Sequence, residues 1–337
     1  MREDFPAIFE ALTRRHNLTR REALAHIARL GGAAALAPVL KACGGGSGGG
    51  LIGEPVLDAA DVPVDTFLYV MIENRSYDHY FGALTLEEGR AEAVGLSADM
   101  ENKLPDGTPV RPYRLDDLCV YDPPHSWDES HAQFNDGALD RFVLEHYEDW
   151  KDSPYLDRIA PQVMGYHNRA QLPFYYGIAD EFALGARYFC SLLGPTSPNR
   201  YYAHSASAAG MKANGDLDVI LGGGVDVPTI YERLNAAGIP WKYYYYGLPF
   251  PFLYKPILAE ALDVLGGMDV AKTRFIKNIL PIDAYFADAA AGTLPNYCFI
   301  EPARGVADDH PPAHVQLGQA VIASLYQALA ASPQWDR

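Results

Sequence analysis

The sequence predicts an α/β layered fold, because stretches typical of buried strands alternate with stretches typical of helices. Residues 66–72, TFLYVMI, form a nearly continuous apolar run, as expected of a strand that is covered on both faces. Residues 297–302, YCFIEP, form another such run and end near an acid, and residues 313–332 show the period of an amphipathic helix. With 337 residues, of which 49% are hydrophobic, the chain is long enough to bury a sizeable core.

The segments between these runs fit the same layered fold. In chain order we expect turns or a small hairpin at 83–124 and then a helix after Gly137. A further helix is expected at 172–210, which breaks at Gly194 and Pro195 and resumes after Pro198. A capped helix followed by a strand is expected at 222–246. The cap of that last helix is either Asp226 or Thr229, which stands three residues before Glu232.

The formal net charge of −16 at pH 7 excludes some classes of partner. It disfavours nucleic acid and anionic lipid surfaces, whose phosphates would repel the protein. We therefore expect no nucleic-acid partner, and contact with a membrane only through an N-terminal lipid anchor. Outside the N-terminal region, Cys119, Cys190 and Cys298 are odd in number and lack zinc-type spacing, so at least one of them is unpaired.

Residues 1–43 resemble a bacterial twin-arginine export signal, with Thr-Arg-Arg before a short apolar run. The run ends in LKAC, which resembles a lipobox whose Cys43 would carry a lipid. The glycine-rich residues 44–62 predict a flexible linker, which leaves 63–337 as the folded domain. We expect export by the twin-arginine machinery to the periplasm, to the membrane as a lipoprotein, or to the medium. The alternative interpretation of the N-terminus is a short amphipathic helix with an incidental arginine pair.

Glu73 and Asn74 follow the first predicted strand directly. In open parallel sheets, ligands bind outside the carboxyl ends of the strands. Carboxylate and carboxamide oxygens are a partial ligand set for a hard or borderline divalent cation. The alternative interpretation makes Asn74 a helix cap and places Glu73 in an ordinary salt bridge.

A second cluster, GPTSPNRYYAHS, places Thr196 and Ser197 between prolines at the start of a predicted helix, where an anion is favoured. An isolated threonine hydroxyl is a poor nucleophile, because almost none of it is alkoxide near neutral pH. A bound cation removes that obstacle by stabilising the oxyanion, so a hydroxyl and a metal make sense together. The alternative interpretation is that Thr196 or Ser197 serves only as a helix cap.

His125 and His310 are candidates for proton transfer, because histidine changes its charge near neutral pH. Each lies in a proline-rich loop beside acidic residues, DPPHSW and DDHPP respectively. The alternative interpretation is an exposed loop histidine without a chemical role.

Four stretches in this order resemble the bacterial phosphoesterase family of non-haemolytic phospholipases C and related acid phosphatases, within the alkaline-phosphatase-like superfamily: MIENRSYDHYFG, DPPHSWDESHAQFNDGALDRFV, LPFYYGIADEFALGARYFCSLLGPTSPNRYYAHSAS and FIEPARGVADDHPPAHVQLGQ. The resemblance covers most of residues 63–337, and its ENRS and GPTxPNR motifs are specific. It implies an α/β/α sandwich of the alkaline phosphatase and sulfatase type. It also implies a bacterial exported enzyme.

By this resemblance, Glu73, Asn74 and Thr196 would hold one divalent metal ion, and Thr196 would also be the nucleophile. His125 and His310 would hold the phosphoryl oxygens or protonate the leaving group. The implied function is metal-dependent hydrolysis of phosphoric esters through a phosphothreonine. A phospholipase C acting on phospholipid is favoured over a broad acid phosphatase acting on small phosphate esters.

Members of the family continue after SPQW with a strand that ends in Asp-Glu-His and completes the metal site. This sequence ends at Arg337, so we expect it to be the N-terminal part of the catalytic domain, with an incomplete sheet. The alternative to an active hydrolase is a truncated surface lipoprotein that is catalytically incompetent. A sulfatase-type hydrolase is disfavoured, because Cys190 is followed by SLLGP and not by the CxPxR context of formylglycine.

The tyrosine-rich residues 241–247, WKYYYYG, leave a question of substrate open. They would either line a site for a quaternary ammonium head group by cation–π contact, or form a strand within the core. A strand within the core is the favoured interpretation.

Overall fold

The structure, a computed structural model, describes residues 64–336. Its strands are β1 (Phe67–Val70), β2 (Asn102–Lys103), β3 (Pro109–Val110), β4 (Tyr113–Arg114), β5 (Gly165–Tyr166), β6 (Trp241–Tyr245), β7 (Ile279–Pro281) and β8 (Tyr297–Glu301). A parallel sheet with the strand order β1–β8–β6–β7 forms the centre of the fold. The other strands form an antiparallel β2–β3 hairpin and a short parallel β4–β5 pair.

The α-helices are α1 (Tyr77–Phe81), α2 (Ala83–Leu86), α3 (Trp127–Phe134), α4 (Phe142–Trp150), α5 (Leu156–Ile159), α6 (Pro173–Glu181), α7 (Thr196–Ser205), α8 (Asp216–Leu221), α9 (Ile230–Ala237), α10 (Lys255–Leu265), α11 (Asp283–Ala291) and α12 (Val315–Ala330). Short 3₁₀ turns lie at Ala91–Ala93, Asn135–Gly137, Ala160–Met164, Phe250–Leu253, Val270–Lys272 and Ile276–Asn278.

Helices cover both faces of the central sheet. On one face, Tyr243 of β6 and Phe299 of β8 pack against side chains of α7, α9 and α10. On the other face, Tyr244 and Ile300 from the same strands pack against α11 and α12. Neighbouring side chains of a strand point to opposite faces, so this arrangement is an α/β/α sandwich. The predicted fold class is confirmed.

The predicted hairpin at 83–124 is confirmed as β2 and β3. The cap of α9 is Thr229 and not Asp226. Thr229 and Glu232 form a reciprocal capping box, in which the Thr229 N–H donates to the Glu232 carboxylate over 2.7 Å.

Two helices begin at other residues than predicted. The helix expected after Gly137 begins only at Phe142, because Leu139 has a left-handed backbone with φ of +53°. Helix α7 begins at Thr196 and not after Pro198. Proline lacks an N–H, but the N–H groups of the first helical turn have no partner within the helix, so Pro198 fits there.

The prediction that residues 66–72 form a strand covered on both faces is wrong for the part of the chain that the structure describes. Among residues 64–336, strand β1 pairs only with β8 and forms an edge of the sheet. Leu68 and Val70 pack into the core, whereas Phe67 is 57% exposed and Tyr69 is 38% exposed. An apolar run therefore marks a strand correctly but does not show which layers cover it.

The tyrosine-rich stretch is the strand β6. The side chains of Trp241, Tyr243 and Tyr244 are buried in the clusters on the two faces of the sheet. The prediction of a strand within the core is confirmed. These buried rings present no face to a head group in solution.

A buried histidine beneath the sheet makes the fold sensitive to acid. The His204 ring lies 4.5 Å from the Phe299 ring, and its Nδ1 lies 2.9 Å from the Tyr231 hydroxyl. Burial and then the charge of Arg200 lower the pKa of His204 to about 3, against an ordinary value of 6.5. Between these values the unfolded chain binds a proton that the folded chain does not, so stability falls as the pH falls.

We expect His204→Leu to weaken this acid sensitivity. Between pH 6.5 and about pH 5, the variant should lose about 2 kcal/mol less free energy of unfolding than the wild type. Urea unfolding at the two pH values measures the difference. Burial also lowers the pKa values of His146 and His167 to about 4, so the variant should retain part of the acid sensitivity. An identical pH dependence in variant and wild type would contradict this account.

The predicted export signal (1–43) and linker (44–62) lie outside the described residues. In the part that the structure describes, no helix is both long enough and apolar enough to span a membrane. Cys119, Cys190 and Cys298 are free thiols.

Candidate active site

The site lies where β1 and β8 end, at the carboxyl edge of the parallel sheet. The Glu73 N–H donates to the Asp308 carbonyl over 2.7 Å, which joins the segment after β1 to the segment after β8. Asn74 then adopts a left-handed backbone with φ of +56°, a conformation that asparagine tolerates. Ser76, and not Asn74, caps α1, because its hydroxyl accepts from the His79 N–H. The alternative interpretation of Asn74 as a helix cap is therefore wrong.

Helix α7 brings Thr196 to this edge. The Thr196 hydroxyl lies 3.5 Å from Asn74 Oδ1. The neighbouring hydroxyl of Ser197 instead donates to Asp216 over 2.7 Å and is buried. The structure therefore separates the two candidates, and only Thr196 faces the residues that follow β1.

His125 and His310 approach the same carboxamide. Their Nε2 atoms lie 3.0 Å and 2.8 Å from Asn74 Nδ2. Their Nδ1 atoms lie 2.8 Å from the Pro123 carbonyl and 2.6 Å from the Pro311 carbonyl. A carbonyl only accepts, so each Nδ1 carries a hydrogen, and each Nε2 of a neutral ring is an acceptor for one N–H of the carboxamide. Both rings thus point their Nε2 atoms into the site.

The structure brings together all five residues that the sequence singled out: Glu73, Asn74, His125, Thr196 and His310. They come from four separate parts of the chain. Their individual roles stay predictions.

Glu73 is held in its ionised form. Burial alone would raise its pKa, but the charge of Arg200 and hydrogen bonds from Asp308 and Thr196 outweigh burial and lower it. Burial, the hydrogen bond to Glu73 and the charge of that carboxylate raise the pKa of Asp308 to about 7. The two carboxyl groups therefore titrate as a coupled pair, in which the protonated form is favoured on Asp308 and the ionised form on Glu73.

Arg200 links Glu73 to the end of β8. Its guanidinium is fully buried and lies 3.7 Å from the Glu73 carboxylate and 3.5 Å from the Glu301 carboxylate. Glu301 also pairs with Arg304 over 2.9 Å, and Arg304 pairs with Asp216 over 2.8 Å. Buried ions need partners of opposite charge, so this chain of alternating charges fixes the relative positions of β1, β8 and α7.

Two hydrogen bonds to Asp309 hold the loop that carries His310. Arg75 Nε donates to the Asp309 carbonyl over 2.6 Å, and the Tyr175 hydroxyl donates to the Asp309 carboxylate over 3.0 Å. Burial raises the pKa of that carboxyl to about 6. Gly318 of α12 makes room for it, because a Cβ at Gly318 would lie 1.8 Å from Asp309 Oδ1.

Two groups of atoms suit a metal ion. Glu73, Asn74 and Thr196 offer oxygen ligands, and the buried Oε2 of Glu73 has no hydrogen-bond partner among residues 64–336. Such an orphaned buried oxygen fits a cation ligand. Asp122 with His125 and His310 forms a second group, whose ligand atoms lie within 4.8 Å of one another.

Sequence reasoning did not single out Asp122, Asp308 or Arg200 as parts of the site. The signals are present in the sequence, because each histidine stands near acidic residues and Arg200 belongs to the PNR motif. Which acid would approach which partner depends on tertiary contacts that no local pattern reveals.

The fold and the site define an α/β/α protein with a hydroxyl, a carboxylate and paired imidazoles at the carboxyl edge of a parallel sheet. Residues 64–337 match the phosphoesterase family. The chain belongs to that family.

Several curated relatives are similar to this chain. The non-specific phospholipase C1 of Arabidopsis thaliana is 30% identical over 293 residues, which cover 81% of this chain and 50% of the relative. Phospholipase C A of Mycobacterium tuberculosis is 30% identical over 350 residues, 95% of this chain and 64% of the relative. The hemolytic phospholipase C of Pseudomonas aeruginosa is 34% identical over 207 residues, 55% of this chain and 26% of the relative. The chain spans about half the length of the curated relatives it matches.

Proposed function

We propose that the protein hydrolyses phosphoric esters in a metal-dependent reaction, as a phospholipase C, and forms a phospho-enzyme intermediate on Thr196. The observation that carries this proposal is the meeting of the Thr196 hydroxyl, the Glu73 carboxylate and the imidazoles of His125 and His310 around Asn74. Membership of the phosphoesterase family and the names of the relatives support the same chemistry.

Glu73, Asn74 and Thr196 would hold one divalent cation, through the oxygens described above. A cation bound there would stabilise the alkoxide form of the Thr196 hydroxyl. The lowered pKa of Glu73 suits this role, because the carboxylate is already ionised before a cation arrives.

The chain's own residues supply the remaining steps. The Thr196 hydroxyl gives its proton to Nε2 of His125 or His310, and Oγ1 forms a bond to phosphorus while the bond from phosphorus to the alcohol oxygen breaks. The protonated imidazole then gives the alcohol oxygen its proton. The same imidazole, now neutral, takes a proton from water as the water oxygen attacks phosphorus. The bond from phosphorus to Oγ1 breaks, and the imidazole returns its proton to Thr196. The Nδ1 contacts to backbone carbonyls keep each Nε2 aimed at the reacting group throughout.

A broad acid phosphatase is the second candidate, supported by the same residues. Two assays separate the phospholipase C from the acid phosphatase. Protein expressed from the complete gene is tested with a chromogenic phosphocholine ester and with a chromogenic phosphate monoester. A phospholipase C should hydrolyse the phosphocholine ester with the higher kcat/KM. Preference for the monoester would favour the phosphatase, and absence of turnover with both would favour a non-enzymatic surface protein.

We expect Glu73→Gln to lose metal and activity together. The substitution removes a charged ligand but keeps the size of the side chain. Metal affinity should therefore fall by more than the roughly 10- to 100-fold that is typical when only a hydrogen-bond partner of a ligand is lost. Metal content after dialysis and turnover of the chromogenic ester are the measurements. A chelator should inactivate the wild type in the same way, and added divalent cation should restore it.

Glu148→Gln is the matched control, because Glu148 is exposed and pairs with Lys151 in a surface contact. It should keep both metal and activity. Full metal content and full turnover in Glu73→Gln would remove Glu73 from the proposed site.

Export is part of the proposal, supported by the sequence of residues 1–43. The protein would cross the inner membrane through the twin-arginine machinery. It would then act in the periplasm, from a lipid anchor at Cys43, or in the medium.

A further inference from the structure

An open cleft of about 680 Å³ adjoins the candidate active site. His125 and Pro195 line it, so the cleft begins at one catalytic imidazole and at the residue before Thr196. Its other walls come from the start of α3, the end of α4 and the segment that follows α7. A substituent of an ester bound at Thr196 would therefore enter this cleft.

The walls of the cleft combine indole rings with carboxylates. Its acidic lining residues are Asp122, Asp128, Glu129 and Asp149. The indoles are those of Trp127 and Trp150, and Lys212 is the cationic residue of this lining. Burial and then the charge of Glu129 raise the pKa of Asp149, which shows that the carboxylates act on one another. A cleft with this composition favours a cation over a neutral or anionic group.

A cation already occupies part of the cleft. Lys212 Nζ lies 4.4 Å from the centroid of the Trp127 ring. The His131 ring packs against the same indole at 4.2 Å and holds it in place. Within residues 64–336, no carboxylate lies within ion-pair distance of Lys212, so its amino group is placed by the indole and not by a salt bridge.

We propose that this cleft binds an ammonium group of the phosphoric ester, and that Lys212 is an internal competitor which that group displaces from Trp127. The inference rests on the proposed function, because that function sets the orientation of the bound ester. The phosphorus lies at Thr196, and the ammonium group lies beyond His125. The inference assigns cation recognition to Trp127 and Trp150, which line the cleft, and not to Tyr243 and Tyr244 of β6, which are buried.

Choline is the probe, and 3,3-dimethylbutan-1-ol is its neutral isostere. Equilibrium dialysis of labelled choline, at constant ionic strength and with protein from the complete gene, measures binding without any chemical step. Choline should bind saturably, and the isostere should fail to displace it at the same concentration. Lys212→Gln should tighten choline binding about three- to tenfold, because it removes the competitor. Trp127→Leu should weaken binding by about tenfold.

Lys151→Gln is the matched control, because Lys151 is an exposed surface lysine that pairs with Glu148. It should leave choline binding unchanged. Displacement of choline by the neutral isostere, or unchanged binding in Trp127→Leu and Lys212→Gln, would overturn the inference.

The inference and the proposed function fail in different ways. A phosphocholine ester should be hydrolysed with a higher kcat/KM than the corresponding 3,3-dimethylbutyl ester. Hydrolysis of both esters at equal kcat/KM, without choline binding, would overturn the cation cleft and leave the hydrolase. Choline binding without hydrolysis of either ester would overturn the hydrolase and leave the cleft.

Discussion

Thr196→Ala is expected to reduce the turnover of a phosphoric ester by on the order of 10⁴-fold or more, while the protein stays folded. The substitution removes the oxygen that would attack phosphorus and one oxygen of the proposed cation site. Folding should be preserved, because the Thr196 hydroxyl lies at the site and contacts Asn74 over a long 3.5 Å, while its backbone begins α7. Steady-state kinetics and far-UV circular dichroism measure the two effects.

Two neighbouring variants serve as controls. Thr196→Ser keeps a hydroxyl at the same place and should retain measurable turnover. Ser197→Ala removes the adjacent hydroxyl, which bonds to Asp216 and points away from the site. It should lower stability by about 1 kcal/mol but keep the chemical step. Equal turnover in Thr196→Ala and wild type would exclude Thr196 as the nucleophile.

Arg200→Met is expected to cause the largest loss of stability, about 3–5 kcal/mol. Methionine fills much of the same volume, but it leaves the carboxylates of Glu73 and Glu301 buried without their shared cation. The pKa of Glu73 should rise, because the charge of Arg200 is the largest influence that lowers it. Urea unfolding at pH 7 in the presence of a chelator measures the loss without a contribution from bound metal.

The matched control for Arg200→Met is Arg158→Met. Arg158 forms an exposed ion pair with Asp117, and exposed pairs contribute little to stability, so its loss should leave the urea midpoint nearly unchanged. Arg200→Lys keeps the charge and should recover part of the stability. A loss below about 1 kcal/mol in Arg200→Met would contradict the view that this buried charge holds the site together.

Much of the fold follows from local patterns. Strand β8 and helix α12 were predictable, because apolar runs and helical periods reflect which side chains face a core. The capping box of Thr229 and Glu232 was predictable for a similar reason, since both partners lie within one turn. The exposed face of β1 was not predictable, because exposure depends on the place of a strand within the sheet.

The candidate active site also contains residues that the sequence predicts and residues whose importance only the structure reveals. Glu73 and Asn74 were found because polar residues after a buried strand reach the edge of the sheet where ligands bind. The choice of Thr196 over Ser197 required the structure, which alone shows that Asp216 takes the second hydroxyl. Asp308 and Arg200 were missed as site residues, because their importance comes from the buried charge of Glu73, which lies far away in sequence.

The stereochemical course at phosphorus tests the central claim most directly. A phosphorothioate diester of a single configuration would be hydrolysed in isotope-labelled water, and the configuration of the product would be determined. Attack by Thr196 followed by attack of water inverts phosphorus twice, so the account predicts overall retention. Overall inversion would show a single direct attack by water and would contradict a phosphothreonine intermediate.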